Sequence, residues 1–138
     1  MLPVMIFALI HGTKIYGAHG IAVFVGICLV VGDIFENVGV RTGFPYGRYF
    51  FTERMGPKLF AVPVMLALAY VGMAYLAWTL ATLIVGTRRG ALRGWLAVIV
   101  PVVASFIMVA WDFSMDPIWS TLVGAWTWVD GGPYFGCR

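Results

Sequence analysis

Two acidic residues four positions apart, Asp112 and Asp116, stand at the end of an otherwise uncharged stretch, in Trp111-Asp112-Phe113-Ser114-Met115-Asp116-Pro117. On a helix that spacing stacks both carboxylates on one face. Carboxylates crowded together away from bulk water do not both ionise readily, so one retains a proton near neutrality and can serve as a general acid. A second pair, Asp33 and Glu36, is three apart and shares a helical face at the end of another apolar stretch. It opens the segment Glu36-Asn37-Val38-Gly39-Val40-Arg41-Thr42-Gly43-Phe44-Pro45-Tyr46-Gly47-Arg48-Tyr49. Each cluster also has a plain structural reading. Asp33 and Glu36 can cap and rim a helix, with Arg41 and Arg48 at lipid headgroups, and Asp116 can simply end a helix before Pro117 while Asp112 pairs with an arginine. Against this stands the cost of carboxylates in or near hydrocarbon, which usually keeps them facing a cavity or pathway.

Aromatic residues flank both clusters: Tyr46, Tyr49, Phe50 and Phe51 after the first, and Trp111, Trp119, Trp126, Trp128, Tyr134 and Phe135 around the second. Such residues form interfacial belts, and their π-faces can also line an apolar substrate and face a developing carbocation. His11 and His19 are isolated, Cys28 and Cys137 make no CxxC pair, and no P-loop, GxGxxG or GxSxG motif occurs, so no metal and no cofactor is expected.

The elements that must carry these residues follow from where charge is missing. Of 138 residues 62% are hydrophobic and only 11% charged, with a mean hydropathy of +0.93. Roughly 25% charge is ordinary for a soluble domain, so lipid must solvate much of this chain. The formal charge of +3 is dispersed, which argues against a nucleic-acid partner and for mild attraction to anionic headgroups. Residues 15–32, 59–87 and 94–111 contain no Asp, Glu, Lys or Arg. Each gap meets or approaches the length of a helix crossing about 30 Å of hydrocarbon. Pro63 and Pro101 fall within two of them as tolerated kinks.

The expected fold is therefore an all-α, polytopic helical integral membrane protein. It has three clear transmembrane helices, at 15–35, 59–86 and 94–112, plus partial helices at both ends. Residues 1–10 read as half of a helix, and 117–130 as the start of another. Both ends read as cut from something longer, giving a single membrane-embedded domain over 1–138. Parity then places 36–58 and the segment after Asp112 on the same side, because two crossings separate them. Lys14, Arg88, Arg89 and Arg93 mark the opposite side as the cytoplasmic one.

The stretch from Glu36 to Phe51, with Gly56-Pro57 and Val62-Pro63, resembles the first block of the carotenoid biosynthesis membrane proteins, the group containing bisanhydrobacterioruberin hydratase and gamma-carotene hydratase. Ala110-Trp111-Asp112-Phe113-Ser114-Met115-Asp116-Pro117, then Trp126-Thr127-Trp128 and Gly132-Pro133-Tyr134-Phe135-Gly136, resembles its second block. The resemblance implies a membrane enzyme of a prokaryotic cell membrane, a truncated member of a longer family. It would add water to the terminal double bond of an acyclic carotenoid end group without a cofactor. It places Glu36, Asp112 and Asp116 at the reaction centre, and Arg41, Tyr46, Arg48, Tyr49, Trp111, Trp126, Trp128 and Tyr134 around the substrate.

The implied chemistry suits those residues. Protonation of the less substituted alkene carbon by Asp112 or Asp116 gives a tertiary cation, and water oriented by Glu36 captures it. Carotenoid cyclisation uses the same protonation step. An intramembrane prenyltransferase with Asp112 and Asp116 on magnesium diphosphate, and a non-catalytic membrane subunit, are further alternatives. The implied partners are membrane lipid, the carotenoid substrate and other carotenoid enzymes.

Overall fold

The computed structural model describes residues 2–87 and 92–133. Three long helices dominate: α1 (Leu2–Thr42), α2 (Val64–Val85) and α3 (Leu96–Pro117), the last continuing as a π-helical turn, Ile118–Val123. All three are long and apolar enough to cross a membrane. The molecule is thus the polytopic helical protein that the charge-free gaps predict, with a small strand content added in its connections.

α1 is not one rod. Gly17 adopts φ 77° and ψ 166°, a region essentially confined to glycine. The chain folds back there, because a Cβ on Gly12 would stand 2.5 Å from Ile21 Cδ1, two residues that a straight helix would hold about 13 Å apart. The arm 2–16 is about 22 Å long and too short to cross, whereas 18–42, at about 37 Å, is sufficient. The expected amino-terminal half-helix is therefore distinct from a following helix long enough for the first crossing, and the two join at Gly17.

The chain forms two compact units, one from the residues up to Cys28 with Ala69–Trp111, the other from Leu29–Leu68 with the chain from Asp112 on. In the first, Tyr75 is 1% exposed, packs with Ala8 and Ile21, and hydrogen-bonds His11 Nδ1 through its hydroxyl at 2.8 Å. Phe7, Tyr16 and Phe24 meet its ring edge-on. Small residues bring the helices together, since a Cβ on Gly72 would lie 3.3 Å from Met5 N. Such close approach is how helices associate where lipid removes the hydrophobic drive between them.

The second unit departs most from a purely helical expectation. The gap 59–87 exceeds what a crossing needs, and its start folds as a hairpin, β2 (Lys58–Leu59) against β3 (Val62–Pro63), with Phe60 at φ 55° in the turn. Pro63 thus precedes α2 instead of kinking it, whereas Pro101 lies inside α3. The segment 117–130 prolongs α3 to Val123, stops at left-handed Gly124, and becomes strand β4 (Trp126–Trp128). β4 pairs antiparallel with β1 (Tyr49–Phe51) in the register Tyr49↔Trp128, Phe50↔Thr127, Phe51↔Trp126. That pairing needs both segments on one side, as parity requires. The orienting residues Arg88 and Arg89, and Cys137, lie outside the described residues.

Gly17→Ala places a Cβ in a backbone region that excludes it, and is expected to cost about 1–3 kcal/mol. Thermal unfolding of the purified variant in detergent, compared with the parent, reads that loss.

Candidate functional site

Glu36 sits near the end of α1 and, at 6% exposed, is the one buried acidic or basic side chain among the described residues. A carboxylate so buried needs a donor. Tyr49 supplies one: the phenol donates to Glu36 Oε2 at 2.5 Å in a buried side-chain hydrogen bond. Gly39, one turn after Glu36, makes room, since a Cβ there would meet Tyr46 Cδ2 at 2.9 Å and Tyr49 Oη at 3.0 Å.

The ribbon β1–β4 carries Tyr49 into place. Directly opposed residues of an antiparallel pair share a face, as do residues two apart, so Tyr49, Phe51, Trp126 and Trp128 look one way. Their rings pack together: Tyr49 on Trp128 at 5.2 Å, Phe51 on Trp126 at 6.2 Å and Tyr49 on Phe51 at 5.5 Å between centroids. Phe50 and Thr127, on the other face, are exposed. Three residue pairs alone make a marginal ribbon, and further contacts secure it. Thr52 N and Oγ1 donate to Ala125 O, Thr52 Oγ1 also to Gly124 O, and Arg54 Nη1 to Val123 O. At the other end Val129 N donates to Arg48 O, and the Arg48 guanidinium forks onto Asp130 at 2.7 and 2.5 Å.

Asp112 and Asp116, one turn apart near the end of α3, are half-buried and both interact electrostatically with Glu36. Tyr46 feels Glu36 and Asp112, and Tyr49 feels Glu36 and Asp116. The three carboxylates and two phenols therefore form one electrostatic cluster. Burial, reinforced by these carboxylates, pushes both phenols above the ordinary tyrosine value. They remain donors at any physiological pH. The helix carrying the two aspartates ends in a π-helical turn, a feature often found at functional sites. There Ser120 donates to Asp116 O at 2.6 Å and Thr121 donates to Pro117 O.

Of the other residues expected near the substrate, Trp126 and Trp128 lie on the ribbon's aromatic face. Arg41 is exposed on the last turn of α1, Arg48 is exposed and bound to Asp130, and half-buried Trp111 belongs to the other unit. Tyr134 lies outside the described residues. Sequence reasoning missed Asn37, whose Nδ2 donates to Asp33 O at 2.8 Å and whose Oδ1 accepts from Ala61 N at 3.1 Å, tying the β2–β3 turn to α1. An amide side chain beside Glu36 in an apolar helix was the available signal. Asp130 was missed as well, though it is the acidic counterpart of Arg48 in the second block. Among the described residues no group of three or more His, Cys, Asp and Glu is arranged to hold a metal ion.

The geometry joins the two sequence blocks into one structure, and a family match spans both. Residues 1–137 match the family described as carotenoid biosynthesis protein. The chain belongs to that family. No curated protein and no solved structure matches it. As a carotenoid biosynthesis protein it has a role in that pathway, which fits apolar helices long enough to enter a membrane and an aromatic ribbon over buried polar groups.

Two outcomes check this arrangement. Gly39→Val drives a branched side chain into both phenol rings and is expected to cost about 1–3 kcal/mol, read by thermal unfolding in detergent. In an alkaline titration of the folded protein, Tyr49 should stay protonated at about pH 10, where free tyrosines ionise. Its raised folded value gives stability that is fully present below about pH 10 and lost as pH climbs through the folded value. Tyr49→Phe should thus leave the phenolate absorbance at pH 10 to 11 unchanged, and a drop by one tyrosine's amplitude would contradict the buried donor.

Proposed function

We propose that this carotenoid biosynthesis protein is a hydratase, adding water across the terminal double bond of an acyclic carotenoid end group. The observation that carries the reading is the buried Glu36 carboxyl group, held by the Tyr49 phenol and within electrostatic range of the Asp112–Asp116 pair on a second helix. Hydration needs a proton donor at the alkene and an acceptor for a proton of the attacking water. A carboxyl of the Asp112–Asp116 pair gives its proton to the less substituted alkene carbon, and the alkene's electron pair forms the new C–H bond. The tertiary cation is stabilised by the aromatic faces around it. A water oxygen bonds the cation while Glu36 takes one of that water's protons. Return of this proton to the aspartate pair restores the starting state, so the sum is alkene plus water giving tertiary alcohol.

The division of roles rests on hydrogen bonding. Glu36 accepts from the Tyr49 hydroxyl, which fixes the carboxyl group in place and suits it to orient and deprotonate water. Asp112 and Asp116 sit one turn apart on α3, and either can serve as the acid. The aromatic face of Tyr49, Phe51, Trp126 and Trp128 is the wall against which a hydrocarbon end group would lie.

Expression of the chain in a host that accumulates lycopene, followed by mass analysis of the pigments, tests the reading. The expected product is heavier by one water per modified end group. Asp112→Asn, Asp116→Asn and Glu36→Gln are each expected to lower its formation by about 10²–10⁴-fold, the usual weight of a positioned acid or base. A less polar isomer of unchanged mass would mark cyclisation instead. Full activity in both aspartate variants would remove the acid from the account.

A further inference from the structure

The indole of Trp128 carries a feature that packing alone leaves unexplained. Its Nε1–H is buried and, among the described residues, has no acceptor. A buried donor without a partner is costly, and such groups in folded proteins are rare enough to require a reason. This one lies beside the candidate site. Trp128 stands opposite Tyr49 in the ribbon, on the same face, with its ring 5.2 Å from the phenol that holds Glu36.

An indole N–H only donates, so its partner must be an acceptor. A hydrocarbon end group offers none, and neither does the cation derived from it. The hydration reading, on which this inference rests, introduces one acceptor into the site: the oxygen that becomes the tertiary hydroxyl. We infer that the Trp128 indole N–H is a binding donor for the tertiary alcohol of the hydrated end group, so that the site recognises its product by a contact the alkene cannot make. The alcohol oxygen accepts from Trp128 through one lone pair and keeps its own proton. Trp128 in this role makes the enzyme sensitive to product, because the alcohol binds with one hydrogen bond more than the alkene.

Binding of lycopane, the saturated chain that the site cannot hydrate, and of the tertiary alcohol formed by hydrating lycopene's end group, to the purified full chain in detergent tests this. In Trp128→Phe, which keeps an aromatic ring and removes the N–H, affinity for the alcohol should fall about fivefold, the weight of one neutral hydrogen bond. Affinity for lycopane should stay within about twofold, since the ring's own contact changes little. On the unsubstituted protein with ¹⁵N-labelled tryptophan, one of the six indole N–H signals should move with the alcohol and not with lycopane. This second measurement needs no variant to fold. An equal loss for both ligands, or no indole signal that separates them, would overturn the inference by making Trp128 a packing residue only. Alcohol binding with the selective indole shift, in a protein that never forms the alcohol from lycopene, would uphold the donor and remove the hydration reading instead.

Discussion

The hydrogen bond from Tyr49 to Glu36 is the contact on which the second unit depends. A carboxyl group 6% exposed at the end of an apolar helix is largely cut off from solvent, and a polar group so buried is costly unless it is hydrogen-bonded. Supplying that donor obliges the chain to bring residue 49 back against α1. Gly39 lacks a side chain where two tyrosines must approach, and strand β1 aims the phenol. Truncating the phenol would therefore remove both a buried donor and an anchor of the aromatic ladder.

The ribbon is what makes two distant stretches one site. Strand β1 follows the first crossing and β4 the third, and neither could stand alone as three residues of extended chain. Aromatic packing on one face, the Thr52 contacts at one end and the Arg48–Asp130 fork at the other hold them in register. The fork itself is exposed, and an exposed ion pair contributes little. It closes the ribbon's end while the buried aromatics supply most of the stabilisation. The same register presents Trp128 beside Tyr49, so one short pairing sets both the carboxylate's partner and the unsatisfied indole.

Much of this was legible from charge alone. The uncharged gaps located three crossings, and counting them placed residues 36–58 and the chain after Asp112 on one side, which the β1–β4 pairing requires. The acidic spacing picked out the pairs Asp33–Glu36 and Asp112–Asp116, the family resemblance kept Glu36 of the first pair, and the fold brings Glu36, Asp112 and Asp116 within electrostatic range. What stayed hidden has physical reasons. The break at Gly17 leaves hydropathy untouched, because a glycine inside an apolar run costs nothing until its backbone angles are known. Strands of two and three residues are too short for a period-two pattern, so β4 read as the start of a helix. Arg48 and Asp130 lie 82 residues apart, a separation over which one sequence carries no pairing signal. Asn37 acts through its amide on Ala61, in a turn whose existence the hydropathy of 59–87 conceals.

In the proposed reaction the hydroxyl of the product comes from water captured at a site built on Glu36, Asp112 and Asp116. Membranes containing the chain, supplied with lycopene in ¹⁸O-labelled water, test it most directly by mass spectrometry of the extracted pigment. The account predicts a tertiary alcohol carrying one ¹⁸O per hydrated end group, formed without added metal, nucleotide or reductant. An alcohol whose oxygen is unlabelled, or a pigment rearranged with no gain of oxygen, would contradict it.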